Sequence, residues 1–194
     1  RRQGRAHDCA EGGLRVVRFA AACVVTFALA AATSSARTPV AGPAGLTDSV
    51  SGLHIGDPFP IPPDDPRWRM ENWPDPMSCT QVFGGSLPEG IYMMVRDGRI
   101  ARFEIVSSLA VVPTSAPSAP FGLRTGMSMA EAMVRLPSGV IIEEHKYNWP
   151  GGYYVTWYDV LRRRAIRIQV ADSRFVDVIL WGDIDAVRLA EGCV

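Results

Sequence analysis

The sequence has few of the residues that build common catalytic and metal centres. Three histidines and four cysteines occur among its 194 residues. It has no Gly-x-Ser-x-Gly segment of a hydrolase nucleophile and no glycine-rich phosphate-binding loop. No paired carboxylates follow the pattern of a glycosidase. These absences argue against an enzyme, and we expect no cofactor and no catalytic residue.

A basic excess is also missing. The formal net charge is zero for the whole chain and slightly negative after residue 36. Because nucleic-acid-binding domains carry a basic face, this balance argues against a nucleic-acid partner. Residues 37–194 are enough for one domain, or for two small lobes, with a hydrophobic core.

Long hydrophobic runs are absent as well. The apolar, uncharged residues 19–32 fall short of the roughly 18 residues that a membrane-spanning helix needs. Arg15 and Arg18 precede this stretch and small residues lead to Ala36, which is typical of a secretory signal peptide cleaved after Ala36. The remaining chain is then expected not to span the membrane. A retained anchor is the alternative.

The same N-terminal segment raises two further questions. Cys23 could be the lipid-modified residue of a lipoprotein, but the apolar run lies mostly after it rather than before it. Residues 1–13 are polar and glycine-rich, unlike the start of a signal peptide. We therefore expect translation to begin near residues 14–17.

Cys79 and Cys193 are the cysteines left after residue 36. Two thiols in an exported chain indicate one disulfide. This bond would tie the C-terminus to the first half of the chain and would contribute roughly 4 kcal/mol on the chain-entropy model. The alternatives are two buried thiols and, less favoured, metal binding.

Two parts of the sequence resemble each other. "GLHIG" begins at Gly52 and "GLRTG" at Gly122, and each is followed by a variable section and a hairpin. Residues 113–120, rich in Pro, Ser and Ala, are typical of a semi-rigid linker. We infer an internal repeat: a strand-rich first half at residues 37–112, and a helix plus sheet at residues 121–194.

Asp97-Gly98 is the strongest local signal, because it is a preferred pair for a two-residue type I′ hairpin turn. A regular hairpin around it places Met94 opposite Ala101 and Tyr92 opposite Phe103. The face that is then apolar, and predicted to be core, carries Tyr92, Met94, Ala101, Phe103 and Ile105.

A second hairpin is predicted to turn at Asp172 and Ser173, residue types that favour turns. Its core face is predicted to carry Ile166, Ile168, Val170, Phe175 and Ile179. Further strands are predicted at residues 79–83, 140–147, 153–158 and 186–190. Together these segments indicate a mainly antiparallel sheet.

One helix is predicted at residues 128–136. Ser128 and Glu131 form a capping box, in which the hydroxyl accepts from an early amide and the carboxylate reaches back. Good helix formers follow, and Pro137 ends the helix. Its apolar stripe, which we expect to pack on the sheet, carries Met129, Ala132, Met133 and Leu136. The fold class is therefore α+β.

The segment 122–136 resembles the β-lactamase-inhibitor-protein-like and SmpA/OmlA-like exported repeat proteins. Gly122, Gly126, Met127, Ser128 and Glu131 carry this resemblance, which implies short helices on an antiparallel sheet, in tandem repeats in some members. The Leu-Gly-x-Pro that usually follows is replaced here by "LPSG". The whole chain also looks like uncharacterised exported proteins of proteobacteria. Neither resemblance supplies a catalytic or binding residue.

Glu143 and His145 are the first candidate site residues. Alternate residues of a strand share a face, so these two could begin a metal site. Zinc normally needs three or four ligands, however, and His54 is the one other histidine after residue 36. We therefore expect a solvated strand face and no metal.

The aromatic residues between positions 147 and 158 are the second candidate. Alternation places Tyr154 and Tyr158 on the face opposite Tyr153, and Trp149 lies in the preceding turn. We expect the exposed set, Trp149, Tyr154 and Tyr158, to contact a protein partner, because Tyr and Trp are enriched at binding hot spots. Filling of the core is the interpretation that explains most of these aromatic residues.

Arg162, Arg163 and Arg164 are the third candidate. They could meet an acidic partner or phosphate groups, or they could be a solvated loop that protects a sheet edge. The sequence as a whole favours a non-catalytic periplasmic or secreted binding module with a protein or cell-envelope partner. A small envelope enzyme and a purely structural envelope protein are the alternatives.

Overall fold

Strands dominate the computed structural model, which describes residues 46–61, 63–70, 79–107, 117–148, 150–171, 174–190 and 192–193. The described residues belong to one unit, Pro39–Val194. The strands are β1 Ser49–Val50, β2 Leu53–His54, β3 Trp68–Met70, β4 Cys79–Gly84, β5 Ile91–Arg96, β6 Arg99–Val106, β7 Ile141–Glu144, β8 Tyr153–Asp159, β9 Arg164–Val170 and β10 Val176–Asp183. The α-helices are α1 Met129–Arg135 and α2 Ile184–Arg188. The predicted signal peptide and residues 108–116 lie outside the described residues.

One antiparallel sheet organises the molecule. Its eight strands follow the order β3-β4-β5-β6-β10-β9-β8-β7, so each half of the chain contributes four consecutive strands. The last strand of each half meets the other at the centre, where Phe103 lies opposite Trp181 and Ile105 opposite Ile179. The predicted α+β fold class, a mainly antiparallel sheet with a helix packed on it, is confirmed, and the helix predicted at residues 128–136 spans Met129–Arg135.

The capping box starts α1 as predicted. The amide of Glu131 donates to Ser128 Oγ at 3.2 Å, and the amide of Ser128 donates to Glu131 Oε2 at 3.0 Å. These hydrogen bonds with Ser128 hold the pKa of Glu131 below its ordinary value. The helix ends at Arg135, and Leu136 is its C-cap, directly before Pro137. Ala132 and Leu136 are buried in the main core.

The two faces of the sheet are covered differently. The core face carries Phe103, Ile168 and Trp181 and packs against α1 and the segment before β3. The tail face is the opposite one, where α2 and Cys193 pack. Its buried apolar residues are Met94, Ala165 and Leu180, in contact with Ala186, Val187 and Cys193.

The first hairpin has the predicted turn and a different register. Asp97 and Gly98 both have positive φ, at 52° and 68°, as a type I′ turn requires. A bulge between Met94 and Val95 then places Met94 opposite Arg102. The predicted pairing is therefore wrong beyond Val95, since a bulge moves the following residues to the other face. Phe103 and Ile105 lie in the main core as predicted, whereas Tyr92, Met94 and Ala101 do not. The observed core face of this hairpin carries Ile91, Met93, Val95, Ile100, Phe103 and Ile105.

The second hairpin carries a comparable irregularity. The register shifts between Val176 and Val178, so Val176 and Ile179 both reach the core. Phe175 is exposed instead of buried, which corrects the predicted core face at this one position. The predicted turn residues, Asp172 and Ser173, lie outside the described residues.

The strand predicted at residues 186–190 is wrong, because this segment lies in and just after α2. Asp183 ends β10 and caps the helix, accepting from the amide of Asp185 at 2.9 Å. A strand would send the neighbours Ala186 and Val187 to opposite faces, whereas a helix lets both pack on the tail face. Neither α-helix of the described chain has the length and apolar character to cross a bilayer.

A disulfide holds the end of the chain. Cys79 and Cys193 are joined with an S–S distance of 2.02 Å and a Cα–Cα distance of 5.3 Å, and the predicted pairing is confirmed. It connects the start of β4 to the tail that follows α2 and closes a segment of 114 residues. The C-terminus is therefore linked covalently to the first half.

Candidate binding surface

Glu143 and His145 lie on the tail face beside Tyr154. Glu143 is paired with Tyr154 across β7 and β8, and the ring of His145 stacks on the ring of Tyr154 at 4.3 Å. The two residues share a face, as the alternation predicts. In the described chain no three His, Cys, Asp or Glu side chains come together as a metal site.

Both ring nitrogens of His145 are used by the chain itself. Nδ1 accepts from the amides of Tyr147 and Asn148, each at 3.2 Å. Because Nδ1 is an acceptor, the proton of the neutral ring belongs on Nε2, which lies 3.3 Å from Gln169 Oε1. His145 therefore organises the β7–β8 loop, and its imidazole is engaged rather than open to a substrate.

Tyr154 is buried, with 6% of its surface exposed, so the prediction that it contacts a partner from an exposed face is wrong. Its ring lies between His145 and the guanidinium of Arg167, which is 4.9 Å away. Tyr158 is half-buried under α2 against Val187. The face that alternation left open is closed by the tail and by the β7–β8 loop.

Trp149 lies outside the described residues, so its predicted contact with a partner stays a prediction. The loop around it is tight. The amide of Gly152 donates to the carbonyl of Asn148 at 2.6 Å, and a Cβ on Gly152 would lie 2.8 Å from side-chain atoms of Asn148 and His145. Glycine is therefore required at this position.

Arg162, Arg163 and Arg164 each have a different partner. Arg162 lies 3.8 Å from Asp159 and Arg163 lies 3.1 Å from Asp185, while Arg164 donates to a backbone carbonyl before β3 at 3.3 Å. Intramolecular carboxylates thus compensate the two exposed cations. The cluster does not present three unpaired guanidinium groups to an acidic partner.

A surface groove beside α1 is a site that the sequence reasoning missed. It has a volume of about 700 Å³ and lies between the helix, the β7–β8 loop and the adjoining ends of β8 and β9. Its lining residues are Ser128, Met129, Ala130, Met133, Pro150, Gly151, Tyr153, Val170 and Arg174. Met129 and Met133, on the predicted apolar stripe, pack against the main core as expected and also line this groove, which the stripe alone does not reveal.

A second groove lies near the opposite edge of the sheet, around β3, β4 and β5. Its volume is about 500 Å³, and Arg67, Arg69, Phe83 and Tyr92 are among its lining residues. Arg67 is held by Asp65 at 2.6 Å, and this hydrogen-bonded contact lowers the pKa of the Asp65 carboxyl. The Arg67 cation is therefore neutralised within the chain.

Buried arginines attach α2 to the tail face. Arg102 pairs with Glu104 at 2.8 Å and donates to the carbonyls of Ala186 and Leu189 at 2.7 and 2.5 Å. Burial lowers the pKa of Arg102, and Glu104 opposes this effect. Cations are favourable at the carbonyl end of a helix, so these contacts are structural and keep the tail in place.

Comparison with known proteins adds no relative: no protein-family model, no curated protein sequence and no solved structure matches the chain. The resemblance of residues 122–136 to the exported repeat proteins therefore stays a prediction.

Proposed function

We propose that this protein is a non-catalytic binding module that works in the periplasm or outside the cell, with a protein or a cell-envelope component as its partner. The observation that carries the proposal is the groove beside α1. A concave, mainly apolar surface with a few polar groups is the usual form of a binding site, and the side chains that form it are supplied by three separate segments of the chain.

Two features support an exported location. Cytosolic thiols are kept reduced, whereas disulfides persist in oxidising compartments, and Cys79 and Cys193 are joined here. Residues 15–36 have the sequence pattern of a secretory signal peptide. Together they favour maturation outside the cytosol.

The environment of His145 favours binding over catalysis. A catalytic imidazole needs a nitrogen that can reach the reacting group, and both nitrogens of His145 already have partners in the chain. A small envelope hydrolase is therefore the less favoured alternative. A purely structural envelope protein would have no occupant for the groove.

An internal repeat fits this function and is supported by the order of the strands. Residues 68–106 and 141–183 each supply four strands that run from an edge of the sheet to its centre. A repeat would explain why the two hairpins meet at β6 and β10. The groove lies in the second half, which contains α1.

Site-specific photocrosslinking in cells of the source organism tests the binding function. We would place p-benzoylphenylalanine at Ala130, an exposed groove residue, and at Leu161 as a matched control. Leu161 is 99% exposed and lies beyond the opposite end of β8. The proposal expects one reproducible adduct from position 130 that position 161 does not give.

The absence of any adduct at position 130, or equal yields at both positions, would contradict binding at the groove. An adduct at position 161 alone would indicate that the partner contacts the turn between β8 and β9, which carries Arg162 and Arg163.

A further inference from the structure

The floor of the groove beside α1 is suited to an aliphatic chain. Met129 and Met133 lie one helical turn apart on α1, and both line the groove together with Tyr153 and Val170. Methionine is flexible and adapts to irregular apolar ligands. The volume of about 700 Å³ lies within the range of about 300 to 1,000 Å³ that is common for small-molecule sites.

Arg174 supplies the charge of this groove. Two hydrogen bonds hold the backbone of Arg174. Its amide donates to the carbonyl of Ala171 at 3.0 Å, and its carbonyl accepts from the amide of Met129 at the start of α1 at 3.1 Å. Within the described residues no carboxylate forms an ion pair with Arg174, in contrast to Arg162 and Arg163. An apolar lining with one cation that no described carboxylate pairs complements a ligand with one anionic end.

The backbone of the groove argues against an extended peptide. Binding of a peptide strand depends mainly on main-chain hydrogen bonds. Three amides of the lining are already used: Ser128 donates to the Glu131 carboxylate, Met129 to the Arg174 carbonyl and Gly151 to the Asn148 carbonyl. These three amides are therefore not available to pair with a peptide strand.

We infer that the groove beside α1 binds an aliphatic chain that ends in a carboxylate, a ligand of the fatty-acid class, with the chain on Met129 and Met133 and the carboxylate at Arg174. This inference rests on the proposed binding function and names the chemistry of its ligand.

Titration of the purified, oxidised protein with sodium dodecanoate below its micelle concentration tests the inference. Methionine methyl groups labelled with carbon-13 provide the signal in NMR spectra. The methyl signals of Met129 and Met133 should shift in a saturable way, while that of Met94, which is buried on the tail face, should not. Dodecyltrimethylammonium has the same chain and the opposite charge, and it should bind at least about fivefold more weakly.

Three substitutions distinguish the effect of the Arg174 charge from the effect of the groove's shape. Arg174→Gln should weaken dodecanoate binding about fivefold, the upper range for an exposed ion pair. Arg188→Gln removes an exposed cation from α2, on the opposite face of the sheet, and should leave the affinity unchanged. Ala130→Trp places a large ring in the groove at an exposed position and should abolish binding without loss of the folded spectrum.

Several results would overturn the inference. They are no saturable shift at Met129 and Met133, equal binding of the cationic amphiphile, or equal effects of Arg174→Gln and Arg188→Gln. Binding of acetyl-Leu-Leu-Glu-amide but not of dodecanoate would assign the groove to a peptide. Shifts that depend on protein concentration alone would assign it to a second copy of the chain.

Failure of this inference and failure of the proposed function are distinguishable. A photocrosslinked partner at position 130 together with no dodecanoate binding would overturn the ligand class alone. If both experiments fail, the groove has no binding role.

Discussion

Replacement of Arg102 by methionine is the sharpest test of how the tail is held. The Arg102 side chain is 3% exposed, and its guanidinium joins the Glu104 carboxylate to the carbonyl end of α2. Methionine keeps much of the length and apolar volume but removes every donor. Glu104 then stays buried without this cation, and the carbonyls of Ala186 and Leu189 lose charged hydrogen bonds.

The expected cost follows from burial. Removal of one partner of a buried ion pair typically costs about 3 to 5 kcal/mol. Domains of this kind have unfolding free energies of about 5 to 15 kcal/mol, so the substitution should remove a large part of the stability. The double variant Arg102→Met with Glu104→Leu should recover some of the loss, because an apolar pair avoids the desolvation of the charges.

Urea unfolding followed by circular dichroism measures this cost in the oxidised protein. Hydrogen exchange should show the first loss of protection at residues 184–190. Arg96→Met is the matched control on the same sheet, since its contact with Asp97 is exposed and 3.7 Å long, and it should change the unfolding free energy by less than about 1 kcal/mol. A cost of less than about 1 kcal/mol for Arg102→Met would refute the reasoning.

Three further outcomes are expected. Replacing Cys79 and Cys193 by serine should lower the unfolding free energy by about 4 to 5 kcal/mol, and an unchanged urea midpoint would contradict this. Glu131→Gln should lower the Tm at pH 7. The folded pKa of Glu131 lies below the ordinary value of 4.5, so its contribution to stability is complete above that value and is lost as the pH falls through the folded pKa. The Tm values of the variant and of the unsubstituted protein should therefore converge in acid. A constant difference would count against the capping box. Gly152→Ala should cost about 1 to 3 kcal/mol, since its Cβ would lie 2.8 Å from two neighbouring side chains; an unchanged Tm would show that the loop can adjust.

Features with a local cause could be predicted from the sequence. Asp97-Gly98 sets a type I′ turn through its own backbone preference, and Ser128 and Glu131 start α1 through hydrogen bonds three residues apart. The disulfide was predictable for a different reason, because only Cys79 and Cys193 remained after residue 36.

Features with a distant cause could not be predicted. The bulge at Ala101, opposite Met94 and Val95, turns Arg102 towards the tail face. There α2, more than 80 residues later, supplies the carbonyls that the guanidinium binds. The sequence around the hairpin does not indicate that α2 will supply hydrogen-bond acceptors to Arg102. Tyr154 was misplaced for the same reason, because alternation divides a strand into two faces but does not say what covers each face.

The groove shows the same limit at the level of the site. Met133, Tyr153 and Arg174 come from three segments and meet only after α1 packs beside the ends of β8 and β9. The sequence marks Met133 as part of an apolar stripe, which is equally typical of a core position. Whether Arg174 can bind an anion depends on whether a carboxylate of the chain pairs with it, and the sequence does not show this.

The most direct test of the account is mass spectrometry of the native protein, digested without reduction after purification from the periplasmic or secreted fraction. The account predicts a chain that begins at residue 37 and a peptide containing Cys79 that is covalently linked to the one containing Cys193. Recovery of the protein from the cytosol with both thiols free would contradict it.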